Sequence, residues 1–351
     1  MNHACLFTTL FAAALTANAD QIDDYIKAEM ANRRIPGAAL AVLRNGEVLK
    51  SAAYGVANLE TGSLVTPQSV FDLASLTKPF TATAVMVLVE EGKINLNESV
   101  RKYVTGLPES WDKITVAHLL SHTAGLPLLF PEEEEGPPLL EVTAASQFAS
   151  LVKMQLLSAP GSRGDYSDPG YFLLGVVIEK VSGKSYDAFL SERIFKPLQM
   201  NATELIDHWK IVKNRVSCYI LPRTQLLNAR RDYQVELPSY FGIRSTIEDL
   251  AKWERALYDA KILKRETLIR MSTPAKLADG RESSVGGRPY GYGWMLGDFD
   301  GHPIAEHTGV TGTDMLRLLD NGTTVIVLTN LGVARSQPGS LAREVASRYV
   351  Q

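Results

Sequence analysis

Two Asn-Gly pairs, one near each end of the 351-residue chain, constrain its fold more than any other feature. Asn45-Gly46 separates two strand-like runs within residues 37–58, and Asn321-Gly322 separates two within residues 315–330. Asn-Gly between apolar runs is the strongest short-range signal for a β-hairpin. Because a hairpin pairs its strands antiparallel, we expect antiparallel strands to come from both ends of the chain.

The middle of the chain carries helical signals instead. Ser245-Thr246 can cap the last central helix, whose first turn holds the acidic residues Glu248 and Asp249. A helical middle between terminal strand pairs predicts an α+β fold. The predicted helices cover residues 21–32, Pro79 to Glu91, Val116 to Ser121, Gly170 to Val181, Ile247 to Tyr258 and Gln337 to Val350.

The first residues have the pattern of a secretory signal peptide. Residues 4–15 are mostly apolar but too few to span a bilayer, and Ala17-Asn18-Ala19 supplies a small-x-small cleavage site. The alternative is a buried N-terminal helix. The cleavage site favours the signal peptide, so we predict a signal peptide at 1–19, a single domain at 20–351, and export to the periplasm or the extracellular space. No later stretch predicts a membrane span.

Composition excludes several functional classes. The net charge of −3 and the pI near 6.1 argue against a nucleic acid or an anionic membrane as partner. Cys5 lies in the predicted signal, so Cys218, in an apolar strand-like run, has no disulfide partner and is expected to be inert. The six histidines lack metal-ligand spacing, so we predict no metal and no cofactor. The acidic run at 131–138 reads as a surface loop.

Ser75 and Lys78 form an SxxK string that suits nucleophilic catalysis. Residues three apart on a helix share a face, and a serine hydroxyl needs a base to take its proton. Lysine can serve if burial or nearby positive charge lowers its pKa. Pro79 is tolerated only in the first turn of a helix, which places Ser75 at the N-terminus, where free N–H groups favour negative charge.

Two later strings are further candidates. Tyr166-Ser167-Asp168 lies on a loop entering a helix, where Asp168 could instead be the N-cap with Pro169 after it. His307-Thr308-Gly309 ends a strand before the final hairpin, and its glycine permits close approach of a ligand. Each string alone is more often structural.

Similar strings elsewhere have structural interpretations. Ser150 and Lys153 also form SxxK, but in the middle of a predicted helix without a terminus at the serine. His122 begins a His-Thr-Ala-Gly string that follows a short helix and leads into a proline loop, as a helix C-terminus does.

Taken in order, SxxK, Tyr-x-x and His-x-Gly resemble the motifs of the penicillin-recognising serine hydrolases. The chain looks closest to the class C β-lactamase-related branch, which includes D,D-carboxypeptidases, D-aminopeptidases and family VIII esterases. The likeness runs from about Gln21 to Asn330. The linking segments that match are IPGAALAVLRNGEV, HLLSHTAGLP, PGSRGDYSDPGYFLLG, IFKPLQM, GIRSTIEDLAKW and YGYGW.

This resemblance implies a β-lactamase/transpeptidase-like fold, with an antiparallel sheet flanked by helices and a mainly helical region beside the active-site groove. It implies that Ser75 forms an acyl-enzyme while Lys78 and Tyr166 share the proton. The oxyanion would be bound by the backbone N–H groups of Ser75 and Val310, and such donors contribute about 3–4 kcal/mol to catalysis. His307 and Gly309 would line the substrate edge of the late strand.

Three departures from the family pattern bear on the substrate. Asp168 replaces the usual asparagine, so it can only accept hydrogen bonds when ionised, and it should repel anions. His307 stands where β-lactamases of this branch carry lysine, so a fixed cation is missing. Residues 295–297 offer no Arg or Lys for a carboxylate, although Arg288 and Arg317 could reach in.

The departures rank an esterase first. We expect a small-molecule ester as substrate, with a D,D-peptidase, a D-amino-acid amidase or a weak β-lactamase as the alternative. A non-enzymatic alternative is a sensor that is acylated without turnover, or a pseudoenzyme scaffold.

Overall fold

The computed structural model describes residues 21–130, 142–207, 209–229, 235–332 and 340–350. The predicted signal peptide and the acidic run at 131–138 lie outside the described residues. Among the helices of the described part, none is long and apolar enough to cross a membrane.

One large sheet is formed by strands from both ends of the chain, as the Asn-Gly pairs predict. Its strands are β1 (Gly37–Arg44), β2 (Glu47–Asn58), β3 (Ser63–Leu64), β11 (Met295–Phe299), β12 (His302–Gly309), β13 (Thr313–Leu318) and β14 (Thr323–Thr329). Their order is β11-β12-β13-β14-β1-β2-β3, and every neighbouring pair is antiparallel. The first strand therefore pairs with the last, with Ala41 opposite Ile326.

Both predicted hairpins are confirmed, and their turns touch. Asn45 and Gly46 have φ values of +52° and +76°, the left-handed conformation that Asn-Gly adopts at low cost in a two-residue hairpin turn. The backbone N–H of Asn45 donates to the carbonyl of Gly322 at 2.9 Å. The hairpins from the two ends of the chain are thus joined at the ends of the central strands β14 and β1.

Helices occupy the predicted central region and both faces of the sheet. They are α1 (21–33), α2 (Lys78–Glu90), α3 (Val116–Leu120), α4 (Ala144–Leu151), α5 (Asp168–Ser182), α6 (Tyr186–Leu190), α7 (Ile247–Tyr258), α8 (Arg265–Met271) and α9 (Leu341–Ala346). Short strands lie between them: β4 (Phe71–Asp72), β5 (Glu204–Leu205), β6 (Tyr219–Ile220), β7 (Leu227–Asn228), β8 (Ile243–Ser245), β9 (Ser284–Val285) and β10 (Arg288–Pro289). The α+β prediction is confirmed.

The sheet separates two hydrophobic cores. The larger lies between the sheet and the central helices, where Phe80 of α2 and Trp253 of α7 stack with ring centroids 3.7 Å apart. The smaller lies on the opposite face under α1 and α9 and includes Ile26 and Val345. Successive side chains of each strand point to opposite faces of the sheet, so the apolar residues of one strand contribute to both cores.

Helix bounds agree with the sequence where local signals are strong. Helix α7 covers the predicted residues, and the Thr246 hydroxyl caps it by accepting from the N–H of Asp249 at 3.2 Å. Helix α4 ends at Leu151, so the expectation that Ser150 lies mid-helix is wrong: the serine is in the last turn. Helix α9 covers six residues of the helix predicted at 337–350, of which 337–339 lie outside the described residues.

Candidate active site

Ser75 lies on a tight turn between β4 and α2. The turn is a 3-10 helix at Ala74–Thr77, so Ser75 precedes the first turn of α2, and Pro79 is the second residue of α2. Ala74 has a φ of +49°, a conformation that costs a non-glycine residue about 1–3 kcal/mol. The first residue of β13 stabilises the turn, because the Thr313 hydroxyl donates to the Leu73 carbonyl at 2.8 Å.

Lys78 is the first residue of α2 and is completely buried. Its ammonium nitrogen lies 2.6 Å from Oδ1 of Asp168 and donates to the Tyr240 carbonyl at 2.9 Å. The Ser75 hydroxyl is farther away, at 3.4 Å. Lys78 thus links the serine to the Asp168 carboxylate.

The sequence left the protonation state of Lys78 open, and the environment of its ammonium decides it. Burial lowers the pKa of Lys78, but the charge of Asp168 and the interactions with the Asp168 and Tyr166 side chains outweigh burial and raise the pKa above its usual value. The condition set above for Lys78 as a base, a lowered pKa, is therefore not met at rest, because the Asp168 carboxylate lies beside the ammonium. In the resting site Lys78 is charged.

Tyr166 completes the group around the serine. The Lys78 nitrogen lies 4.7 Å from the centroid of its ring, and Tyr166 lines the same groove as Ser75. Burial raises the pKa of Tyr166, Lys78 lowers it and Asp168 raises it, with a net rise. Tyr166 is therefore a neutral phenol near Ser75, and a phenol in this position could act as a proton donor.

The cap of helix α5 leaves Asp168 available to Lys78. Ser167 is the N-cap, and its hydroxyl accepts from the N–H of Gly170 at 3.1 Å. The alternative interpretation of Asp168 as the N-cap is therefore wrong. Asp168 is the first residue of the helix, and its carboxylate turns to the ammonium instead of to the helix end.

His122 is a site residue that the sequence analysis missed. It follows α3 as expected of a helix C-terminus, with a φ of +58°, but its Nδ1 accepts from the N–H of Ser167 at 3.1 Å. Its carbonyl accepts from the N–H of Asp165 at 2.8 Å, and its ring lies 4.3 Å from that of Tyr166. His122 therefore holds the loop that carries Tyr166 and Asp168.

The ring of His122 is neutral. Burial lowers the pKa of His122 well below its usual value, and the charge of Lys78 adds to this. Because Nδ1 accepts a hydrogen bond, the proton is on Nε2. The sequence did contain one signal for this residue, because His122 lies in HLLSHTAGLP, one of the segments that resemble the family. Nothing in that segment shows that His122 contacts a loop 45 residues later.

His307 is completely buried instead of lining an open edge. Its Nδ1 donates to the Thr308 carbonyl at 3.0 Å, and Nε2 accepts from the Tyr290 hydroxyl at 3.1 Å. Burial lowers the pKa of His307 to about 3, and the charge of Lys78 contributes. The histidine carries no charge at neutral pH, and its ring centroid lies 6.4 Å from that of Tyr166.

The end of β12 lies directly against the turn of Ser75. A Cβ at Gly309 would be 2.2 Å from the Leu73 carbonyl oxygen and 2.4 Å from the Thr313 hydroxyl, so only glycine fits. Val310 follows at the exposed rim, and it lines one groove together with Ser75, Tyr166 and Gly309. The structure thus brings the two residues with predicted oxyanion donors to the same groove.

The other candidates lie elsewhere or are engaged. Arg288 pairs with Glu306 at 2.6 Å, and Arg317 pairs with the buried Glu254 at 2.8 Å. Burial raises the pKa of Cys218 to about 11, so its thiol is protonated and unreactive.

Three comparisons relate the chain to known proteins. The family model described as Beta-lactamase matches residues 22–347. Penicillin-binding protein 4* of Bacillus subtilis is 29% identical over 316 residues, which are 84% of this chain and 68% of that protein. Protein flp of Staphylococcus aureus is 28% identical over 317 residues, 88% of this chain but only 60% of that protein. A part of each relative therefore has no counterpart here.

Solved structures share the fold over nearly the whole chain. The octameric penicillin-binding protein homologue from Pyrococcus abyssi has a TM-score of 0.82 at 29% identity and covers 95% of this chain and 77% of its own. EstCE1, a hydrolase with promiscuous acyltransferase activity, has a TM-score of 0.83 at 21% identity and covers 96% and 100%. D-amino acid amidase from Ochrobactrum anthropi has a TM-score of 0.77 at 24% identity, and the match covers 96% of this chain and 98% of that chain. The last two show the fold alone.

Proposed function

Because the chain belongs to the β-lactamase family of serine hydrolases, we propose that it hydrolyses uncharged carboxylic esters through an acyl-enzyme on Ser75. The charge balance of the site carries this proposal. Lys78, which could attract an anion, is paired with Asp168 at 2.6 Å, and His307 is neutral. An anionic substrate such as a penicillin or a peptide carboxylate would gain little attraction there, whereas an ester needs none.

The geometry supports the following sequence of steps. Ser75 attacks the ester carbonyl, and the N–H groups of Ser75 and Val310 bind the oxyanion. The serine proton passes into the Lys78–Tyr166 pair, and Tyr166 then protonates the alcohol that leaves. Water completes hydrolysis by attacking the acyl-enzyme with the same groups acting in reverse. Since Lys78 is charged at rest, the Lys78–Tyr166 pair must lose one proton before it can accept the serine proton. The rate of ester hydrolysis should therefore rise with pH.

Amide hydrolysis is the second candidate. It is favoured by the 29% identity to penicillin-binding protein 4* and to the Pyrococcus homologue. In this family the residue at 168 usually donates to a substrate amide carbonyl, as the resemblance implies, and the Asp168 carboxylate cannot donate. Asp168 is also held by Lys78, so it is not directed at a substrate amide.

One substrate panel tests ester against amide. We expect p-nitrophenyl butyrate to be hydrolysed far faster than nitrocefin or a peptide ending in D-Ala-D-Ala. The reverse order would overturn the esterase proposal in favour of the amidase. Stoichiometric acylation by all three without turnover would instead support the sensor or scaffold.

The nucleophile can be tested with the second SxxK string as its control. A fluorophosphonate probe should label the wild type and Ser150→Ala once per chain and leave Ser75→Ala unlabelled. Ser150 is a suitable control because it lies in the last turn of α4, and Lys153, three residues later, is exposed. Unchanged labelling of Ser75→Ala would show that another residue is the nucleophile.

We further propose that the protein is exported, with cleavage after Ala19 leaving residues 20–351 as one catalytic domain. Support comes from the apolar run at 4–15 followed by Ala17-Asn18-Ala19. N-terminal sequencing of protein from the periplasm or the medium should begin at Asp20. Full-length chain confined to the cytoplasm would contradict export.

A further inference from the structure

The groove at Ser75 continues around the end of the sheet. It has a volume of about 520 Å³, within the usual range of small-molecule sites. One end holds Ser75 and Tyr166, on the face of the sheet that packs against the central helices. The other end holds Ile35 and Leu341, which belong to the core on the opposite face. The β12–β13 turn lies between them.

The groove crosses the β12–β13 turn at Gly312, which has no side chain. Gly312 has a φ of +88°, and a Cβ there would lie 2.1 Å from the Thr329 hydroxyl and 2.3 Å from the Leu331 carbonyl oxygen. No side chain can therefore stand at this position without moving β14. A ligand bound at Ser75 can extend over the turn at this point.

The far section of the groove is apolar. Its walls include Ile35, Val327, Leu331 and Leu341. Its polar groups are engaged: Arg33 is bound by Glu29 and Glu344, and the Thr329 hydroxyl donates to the Gly312 carbonyl at 2.9 Å. Burial raises the pKa of Asp314 well above its usual value, and its carboxyl accepts from the Ser340 hydroxyl. An uncharged hydrocarbon chain matches these walls, whereas a charged group would not.

The proposed reaction determines which part of an ester enters this section. The leaving alcohol must lie beside Tyr166, which protonates it. The acyl part stays bonded to Ser75 and extends the other way, past Val310 and the turn. We propose that the site takes esters of carboxylic acids with an extended, uncharged apolar acyl chain, whose end lies between Ile35 and Leu341. This inference rests on the proposed function.

A series of p-nitrophenyl esters tests the preference for a long acyl chain, because only the acyl part of the substrate varies along the series. We expect kcat/KM to rise at least tenfold from acetate to octanoate, since each buried CH₂ favours binding by roughly three- to fourfold. A steady fall in kcat/KM from acetate to octanoate would overturn the inference and leave the proposed function standing. Failure of all the esters, with turnover of nitrocefin or the peptide, would overturn the proposed function itself.

Variants of Ile35 test whether the acyl chain of the substrate reaches the far section of the groove. Ile35→Trp should lower kcat/KM for octanoate at least tenfold and change that for acetate less than twofold. Ile35→Ala should shift the preferred acyl chain length toward decanoate. If thermal unfolding shows that the Trp variant does not fold, the preference of Ile35→Ala tests the inference in its place. Leu64→Trp, on the exposed edge strand β3, is the matched control and should change neither. Equal loss with acetate and octanoate in Ile35→Trp, or no change in chain preference in either variant, would overturn the inference.

Discussion

Lys78 shows how a single substitution in a motif redefines a buried group. A buried lysine normally has a lowered pKa, since the ammonium loses its hydration. Here the Asp168 carboxylate, 2.6 Å away, reverses that effect. Asp168 also adds to the rise in the pKa of Tyr166. Both groups that could accept the serine proton therefore hold their own protons more tightly than they would beside an asparagine.

Asp168→Asn should move the activity of the enzyme toward acid pH. Removing the carboxylate leaves burial to lower the pKa of Lys78, and it also removes a cause of the raised pKa of Tyr166. If the attack by Ser75 needs one proton to leave this group, the acid limb of kcat/KM against pH moves to lower pH. The pH profile with p-nitrophenyl butyrate measures this shift.

Asp168→Glu is the control for this variant, because it keeps the negative charge and should keep the acid limb near that of the wild type. An acid limb that moves to higher pH in Asp168→Asn would mean that Asp168 itself takes the proton. In that case the role assigned here to the Lys78–Tyr166 pair would be wrong.

His122 is expected to act by positioning the Tyr166 loop. In His122→Ala the N–H of Ser167 loses its acceptor and the ring of Tyr166 loses its packing partner. Misplacement of a catalytic group by about 1 Å can reduce the rate about 100-fold, so we expect kcat to fall by about 10- to 100-fold with little change in KM. His122→Asn, whose side-chain oxygen can accept from Ser167, should recover part of the loss.

The pH profile separates this role from proton transfer. Because the pKa of His122 lies well below its usual value, the residue stays neutral across the active range, and the limbs of the profile should not move in either variant. A displaced limb would show that His122 takes part in proton transfer. Thermal unfolding of each variant checks that the fold is retained.

At the scale of elements, the site depends on one close contact between the end of β12 and the turn of Ser75. Gly309→Ala would place a Cβ 2.2 Å from the Leu73 carbonyl oxygen and push the two apart. Since Ser75 and Val310 supply the proposed oxyanion donors from opposite sides of this contact, we expect kcat/KM to fall by about 100- to 1,000-fold. Overpacking of this kind costs about 1–3 kcal/mol of stability.

Gly62→Ala controls for the loss of a glycine, because a Cβ there meets nothing within 4 Å, although Gly62 also has a positive φ. It should lower stability slightly and leave ester turnover unchanged. Turnover by Gly309→Ala within threefold of the wild type would contradict the role given to this contact. The two variants are compared by steady-state kinetics and thermal unfolding.

Elements set by local signals could be predicted, and contacts between distant elements could not. The Asn45-Gly46 turn and the cap at Thr246 involve atoms a few residues apart, so the sequence indicates them directly. The contacts Lys78–Asp168 and His122–Ser167 join residues 90 and 45 positions apart. Their formation depends on how the helices pack, which is why the charge of Lys78 and the role of His122 emerged only from the structure.

At the scale of the whole molecule, a cluster of buried charges joins the end of the chain to the strand that carries His307. Glu306, next to His307 on β12, accepts from Arg343 of α9 at 2.7 and 3.0 Å and pairs with Arg288 at 2.6 Å. Successive residues of a strand point to opposite faces, so this cluster lies behind the site. It anchors the last helix to the sheet, and Asp314 beside it lines the far section of the groove.

Asp314 in this cluster should make the stability of the protein fall with rising pH. Burial and repulsion by Glu306 raise the pKa of Asp314 well above the ordinary 3.8, so the folded protein keeps a proton that the unfolded chain releases. The contribution of Asp314 is complete below pH 3.8 and is lost as pH rises through the folded pKa. Within that window the loss is about 1.4 kcal/mol per pH unit.

Asp314→Asn removes this titration and keeps the shape of the side chain. Its Tm relative to wild type should therefore increase with pH, so that the variant is the more stable protein at pH 8 and loses that advantage near pH 4. Asp112→Asn, at an exposed carboxylate, is the matched control for the loss of a charge. Thermal unfolding of the three proteins between pH 4 and 9 gives the comparison. A difference between Asp314→Asn and wild type that stays constant over this range would show that the folded protein does not hold the proton, and that Arg288 and Arg343 balance two carboxylates in place of one.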